Sequence, residues 1–313
     1  MEPTPERTRA SSAARAQLDN GFRFEQSGSL EPALDAYRGA LTAATTPLEQ
    51  AEARVRIARI YRGLTDFDKS IEEARAALRL ADAAGADDLA AEAMNVEIGV
   101  LQLLGSFDAA DTVGHAALSR AKTPRVRGIT LQNMGRGAAE RGDFKTSDMY
   151  FDQSIEAFRE ARYDFGLALA LSNAARAALD NGDPPRSIEV GKEAIVLARR
   201  LNALDVLLTT VQNQAAAFVA LGNLDAAESL LTEALGHFTT ARNPQRQAEC
   251  LEIMGQMHEK RPDAETAVRC YTRARDLALT ATDRILADRV AKRIEAIHAV
   301  RTAANGALRG AGG

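Results

Sequence analysis

The chain holds 313 residues, of which 46% are hydrophobic, 26% charged and 5% aromatic, with no Trp. Lys and Arg number 39 against 43 Asp and Glu, for a formal net charge of −4 at pH 7. This apolar share excludes wholesale disorder. Two cysteines exclude a disulfide-stapled scaffold, and the mild acidity argues against a protein that coats nucleic acid.

The N-terminus, Met1-Glu2-Pro3-Thr4-Pro5-Glu6-Arg7, is polar and has no apolar signal core. No run approaches the roughly 20 apolar residues needed to span a bilayer. Residues 1–12 read as a disordered tail, and a cytoplasmic, reduced setting is expected, with Cys250 and Cys270 as packed thiols rather than a bridge. Beyond the tail, one phrase recurs. It begins as Gly28-Ser29-Leu30-Glu31-Pro32-Ala33 and returns as Thr65-Asp66-Phe67-Asp68-Lys69-Ser70, Gly105-Ser106-Phe107-Asp108-Ala109-Ala110 and Gly142-Asp143-Phe144-Lys145-Thr146-Ser147. Three more copies end at Ser187, Ala227 and, in degenerate form, Ala267. Successive end points lie 37 or 40 residues apart, the period of a solenoid or array.

Each copy predicts two helices around a turn. Stretches such as Ile129–Glu140 before the turn and Ser147–Phe158 after it carry apolar or small residues at helical spacing. The Gly can close the first helix in a left-handed conformation, and the following Asp or Asn can cap the second. Pro47, Pro124 and Pro244 fall between copies, where a helix must stop. Small residues recur at Gly21, Ala58, Gly135, Ala175, Ala215 and Gly255, and again at Ala40, Ala77, Ala117, Ser154, Ala194, Ala234 and Ala274. Bulky residues such as Phe24, Tyr37, Tyr61, Phe151, Phe218 and Tyr271 lie between them. A hairpin packed small against large cannot bury its apolar face alone, whereas stacked neighbours bury it continuously.

This pattern resembles the tetratricopeptide repeat (TPR) family over about residues 14–281. Gly21, Phe24, Ala33, Tyr37 and Ala40 fit it, as do Gly255, Ala267, Tyr271 and Ala274. No copy has the family's early Trp, and the period is 37 to 40 rather than 34. The third copy departs most, with Ile98 at the small site and Gly114 at the aromatic one. The resemblance implies an all-α fold: a right-handed superhelical solenoid of about seven TPR-like helical hairpins over residues 13–281. Residues 282–304 then read as a C-terminal capping helix with Ile285, Leu286, Val290, Ile294 and Ile297 on one face, and 305–313 as a flexible tail. A membrane or partner helix is the alternative for the capping segment.

In that family the first helices line a concave groove that holds a peptide. Independently, Asn133, Asn173 and Asn213 recur every 40 residues, each two positions before the small packing residue. Two residues turn about 200° around a helix, so these amides are expected to form a row facing the groove. There a carboxamide can clamp a peptide backbone through both its donors and its acceptor. The alternative is solvated helix surface. Arg59, Arg136 and Arg176 border the same face, Arg56 takes the Asn site in the second copy, and Gln132 and Gln212 precede two of the asparagines. Such arginines favour carboxylates or phosphate; ordinary surface pairing with Glu140 or Asp180 is the competing reading. The four histidines are scattered, and no HExxH, GxSxG, GxxxxGK[ST] or CxxC occurs. Neither catalysis, a cofactor nor a metal is expected. The expected function is a protein-interaction scaffold binding an extended peptide or acidic segment, with no direct role for nucleic acid or membrane. A peptide- or ligand-sensing regulator acting in trans on a transcriptional or enzymatic partner is the alternative. Oligomeric state and partner are not written in these residues.

Overall fold

The computed structural model describes residues 5–26 and 28–310. The described residues form helices and turns, with no strand. The helices pair into seven consecutive hairpins: α1 (Pro5–Gln26) with α2 (Leu30–Ala43), α3 (Pro47–Gly63) with α4 (Phe67–Ala83), α5 (Asp87–Leu103) with α6 (Phe107–Arg120), α7 (Pro124–Glu140) with α8 (Phe144–Glu160), α9 (Asp164–Asp180) with α10 (Pro184–Arg200), α11 (Leu204–Ala220) with α12 (Leu224–Thr240), and α13 (Pro244–Lys260) with α14 (Ala264–Thr280). A final helix, α15 (Arg284–Gly310), follows. This is an all-α solenoid of stacked hairpins, as the repeat period predicts. The chain forms two compact units, Met1–Ala170 and Leu171–Gly313.

The repeated phrase performs the task its residue types suggest. Asp66, Asp143, Asp183, Asn223 and Asp263 each accept a hydrogen bond from the backbone N–H three residues on, closing the start of the second helix. Between copies, Thr46 and Glu49 form a reciprocal capping box around Pro47. Gly105 and Gly142 take φ of +72° and +77°, left-handed values that need no Cβ accommodation in glycine. Thr65 holds the same place in the second hairpin at φ +60°, at a steric cost.

The seven end-point residues, Ala33, Ser70, Ala110, Ser147, Ser187, Ala227 and Ala267, are all buried. At Gly21 and Gly255 a Cβ would overlap the rings of Tyr37 and Tyr271, which are wholly buried against them. In the first unit the core runs through Leu34, Tyr37, Ile57 and Ile60, then Val55 and Val96, then Ile98 and Val126. The aberrant third copy is a size exchange: Ile98 is buried, and Met134 occupies the space that Gly114 leaves open. In the second unit, Leu251, Tyr271, Leu286 and Val290 share a cluster, so α15 covers the last hairpin as a cap.

Four expectations change. Helix α1 begins at Pro5, inside the segment read as a tail, and α15 continues to Gly310; residues 1–4 and 311–313 lie outside the described residues. Pro5 stands at the first helical position, where proline is tolerated, and no proline follows it in α1 or occurs anywhere in α15, so the helices propagate. Ile285 is 79% exposed and not part of the capping face, because the buried stripe runs through Leu286, Ala287 and Val290. Phe24 likewise lies at the surface while Tyr37 fills the interior of its hairpin.

Candidate functional site

Helices α3, α5 and α7 of the first unit, with the start of α9, enclose a cavity of about 260 Å³. Arg59 and Arg62 reach it from α3, Asn95 from α5, and Ile129, Gln132, Asn133 and Arg136 from α7. Phe158, Tyr163, Phe165 and Leu169 supply an apolar part of the wall. Tyr163 meets Phe158 edge-on with ring centres 5.7 Å apart, and Phe165 lies 6.4 Å from Tyr163. The Arg125 guanidinium stacks over Tyr163 and approaches Glu92 at 3.7 Å.

The polar residues hold one another in place. Arg59 Nη2 donates to Glu25 Oε1 at 2.7 Å, and Tyr37 donates to the other oxygen of that carboxylate at 2.8 Å. Burial, and then this hydrogen bond, raise the Tyr37 phenol above its usual range. Arg136 donates through Nε and Nη2 to Gln102 Oε1 at 3.1 and 2.5 Å. Gln102 itself donates to the carbonyl of Asn133 at 2.7 Å. Burial is the main cause that pushes Arg62 down to about 10, with repulsion from Arg59 and Arg136 adding to it and Glu25 opposing. Arg136 is lowered by burial too, partly offset by Glu140.

The asparagines do more than line a wall. Asn133 Nδ2 donates to Asn95 Oδ1 at 3.1 Å, and Asn95 Nδ2 donates to Thr130 Oγ1 at 2.8 Å, tying α5 to α7. In the second unit Thr210 donates to Ser172 Oγ at 2.9 Å, and Asn213 Nδ2 to the Ser172 carbonyl at 3.4 Å, tying α9 to α11. Asn213 is only 4% exposed, so it is sealed between helices instead of facing a groove. The 200° rotation away from the hairpin partner turns it toward the first helix of the preceding repeat, a neighbour that single-helix geometry omits.

The sequence-predicted residues therefore separate. Arg59, Gln132, Asn133 and Arg136 share the cavity. Arg56 lies half-buried on α3, close enough to Tyr37 to affect its phenol, but outside the cavity lining. Asn173 and Gln212 are half-buried in the second unit. Arg176 is exposed there and pairs with Asp180 at 2.7 Å, the ordinary surface pairing. Sequence reasoning missed Arg62, Asn95 and Gln102. A signal existed for the helix tie: Thr130 and Thr210 stand two periods apart, and each lies five residues before its small packing residue.

Residues 51–83, spanning most of α3 and all of α4, match the tetratricopeptide repeat model. A solved tetratricopeptide repeat protein from Parabacteroides merdae is 13% identical with a TM-score of 0.52, covering 89% of this chain and 99% of that chain. One stretch of the chain thus matches the tetratricopeptide repeat, and the chain has the fold of such helical repeat proteins. The repeat protein is also similar to a Rap protein complexed with competence and sporulation factor, at 16% identity and a TM-score of 0.61, covering 91% of this chain and 75% of that chain. Its likeness to the Rap conjugation gene regulator of plasmid pLS20 in complex with the Phr* peptide is 13% identity and a TM-score of 0.59, covering 84% and 74%. At these identities the likeness is one of fold. No curated protein matches the chain in sequence.

Proposed function

We propose that this repeat protein is a non-catalytic protein-interaction module whose first unit holds an extended acidic peptide segment along α3, α5 and α7. One observation carries this reading: a single cavity joins arginines, free carboxamide capacity and an aromatic wall. Asn133 uses one Nδ2 proton on Asn95, which leaves its Oδ1 for a guest N–H. Gln132 adds a second amide beside it. Phe165, 45% exposed, offers apolar area that a guest side chain can cover. The solved Rap structures of similar fold were captured with a peptide or factor, which supports the same use of the fold here. One of them is a gene regulator, which favours as second reading a sensor that acts in trans on a partner.

Fluorescence polarisation against an array of labelled acidic and neutral peptides tests the main reading. Acidic peptides should bind best, and replacing Phe165 by Ser together with Gln132 by Ala should weaken them about tenfold with no change in melting temperature. Equal binding by that double variant would overturn the assignment of the site. Small-angle scattering with and without a bound peptide tests the sensor reading, since unchanged dimensions would reject it.

A further inference from the structure

The Arg62 side chain makes no hydrogen bond or ion pair among the described residues, although it is half-buried and lines the cavity. Its two neighbours are differently placed. Arg59 is matched by the carboxylate of Glu25, whereas Arg136 is oriented by the neutral amide of Gln102. Glu140 approaches Arg136 only at 3.9 Å, as an exposed pair one turn away, where screening leaves little attraction. Glu92 also faces the cavity, but its neighbour is Arg125. The cluster thus brings about two positive charges that nearby carboxylates do not cancel.

Space for these groups is made by glycine. A Cβ at Gly99, in the interior of α5, would stand 2.5 Å from Arg62 Nη1. One at Gly137, in the interior of α7, would stand 2.6 Å from Gln102 Nε2, the amide that aims Arg136. Glycine inside a helix is less stable than alanine, because it loses more backbone freedom on folding. Both helices bear that cost where a guanidinium or its support needs room.

We propose that Arg59, Arg62 and Arg136 form a subsite for a doubly charged oxyanion, a phosphoryl group borne by the segment that the first unit binds. This deepens the peptide reading above and rests on it. A guanidinium carries five N–H donors in a planar fork that matches phosphate oxygens two at a time. Arg59 spends one nitrogen on Glu25 and Arg136 two on Gln102, so donors remain on both, and all those of Arg62 are available. A phosphate monoester at pH 7 carries a charge of about −1.5 to −2, close to the uncompensated charge of the cluster; a carboxylate would neutralise half of it.

The test uses the full chain and two probes. Titration calorimetry with inorganic phosphate should show one site, weakened about tenfold or more in Arg62→Met. The exposed Arg79→Met, equal in net charge, should leave it unchanged. Gly99→Ala should weaken phosphate similarly, because the new methyl displaces the tip of Arg62, while the melting temperature holds or rises. Equal loss in Arg79→Met, or no loss in Arg62→Met, overturns the subsite. The second probe is the acidic peptide array with phosphoserine or Glu at each position. Phosphoserine peptides should bind at least tenfold tighter than their Glu counterparts, with the difference abolished by Arg62→Met. Equal binding of the two series overturns the phosphoryl assignment and leaves the peptide reading standing. Binding of free phosphate with no peptide bound in either series defeats the peptide reading.

Discussion

The amide tie between α5 and α7 makes Asn133 a structural residue as well as a wall of the cavity, and the two roles can be measured apart. Asn95→Ala removes the acceptor of the Asn133 amide and the donor to Thr130, from a side chain that is itself only 5% exposed. Two hydrogen bonds at about 1 kcal/mol each, plus the small void left behind, put the loss at about 2–3 kcal/mol. Asn133→Ala removes one bond from a half-buried position and should cost about 1 kcal/mol. The two share a single bond, so the double variant should lose about 1 kcal/mol less than the sum. Urea unfolding followed by helical circular dichroism gives all four corners of the cycle. Coupling near zero, with Asn133→Ala as stable as the parent chain, would show that the amide faces solvent and that the tie contributes nothing.

Other perturbations follow from the turns and the buried thiols. Gly105→Ala meets no neighbouring atom and should lose about 1 kcal/mol from its left-handed backbone alone, whereas Thr65→Gly should gain a similar amount; matching unfolding curves would contradict both. The carboxyls of Asp66, Asp143 and Asp263 are held below the usual range, chiefly by hydrogen bonds to Lys69, Thr146 and Thr266 respectively. Their contribution is present above the ordinary Asp value of about 3.9 and is lost as pH falls through the lower folded-state values. Replacing all three by Asn, which caps without titrating, should flatten the dependence of melting temperature on pH in that acid range, and parallel curves would refute it. Burial, with a smaller effect of Cys270, pushes the Cys250 thiol up to about 12. Burial raises Cys270 as well. Neither should react with a disulfide reagent at pH 8 until the chain is unfolded, and rapid labelling of the native protein would show the pocket to be open.

The fold was legible because its determinants repeat. Any one copy of the Gly-Asp-Phe phrase is weak, but copies at 37 or 40 residues mark the turn, the cap and the buried small residue together. Gly114 looked like decay of the pattern, yet it is matched by Met134 from the next repeat, a compensation visible only once the helices are stacked. The site was legible in part. Arg59, Gln132, Asn133 and Arg136 were found because phase on a helix predicts direction. Arg62 was missed because its significance depends on Gly99, 37 residues away in the following repeat, and nothing about either residue alone signals the other. Asn213 was misplaced for a related reason: a helix in a stack has several neighbours, and the wheel of one helix shows only the nearest.

The capping residues have a consequence for how such a chain can grow or shrink. Asn223 closes the start of α12, and Asp263 closes the start of α14 in the same way, forty positions later. Excising residues 224–263 would set Asn223 directly before Ala264, with its side chain still opposite the third amide of the helix that follows. An excision five residues longer or shorter would strand that cap and rotate the Ala stripe out of the interior. Whole modules are thus the natural currency of change in this architecture, since only a step of one full repeat keeps cap and stripe in register.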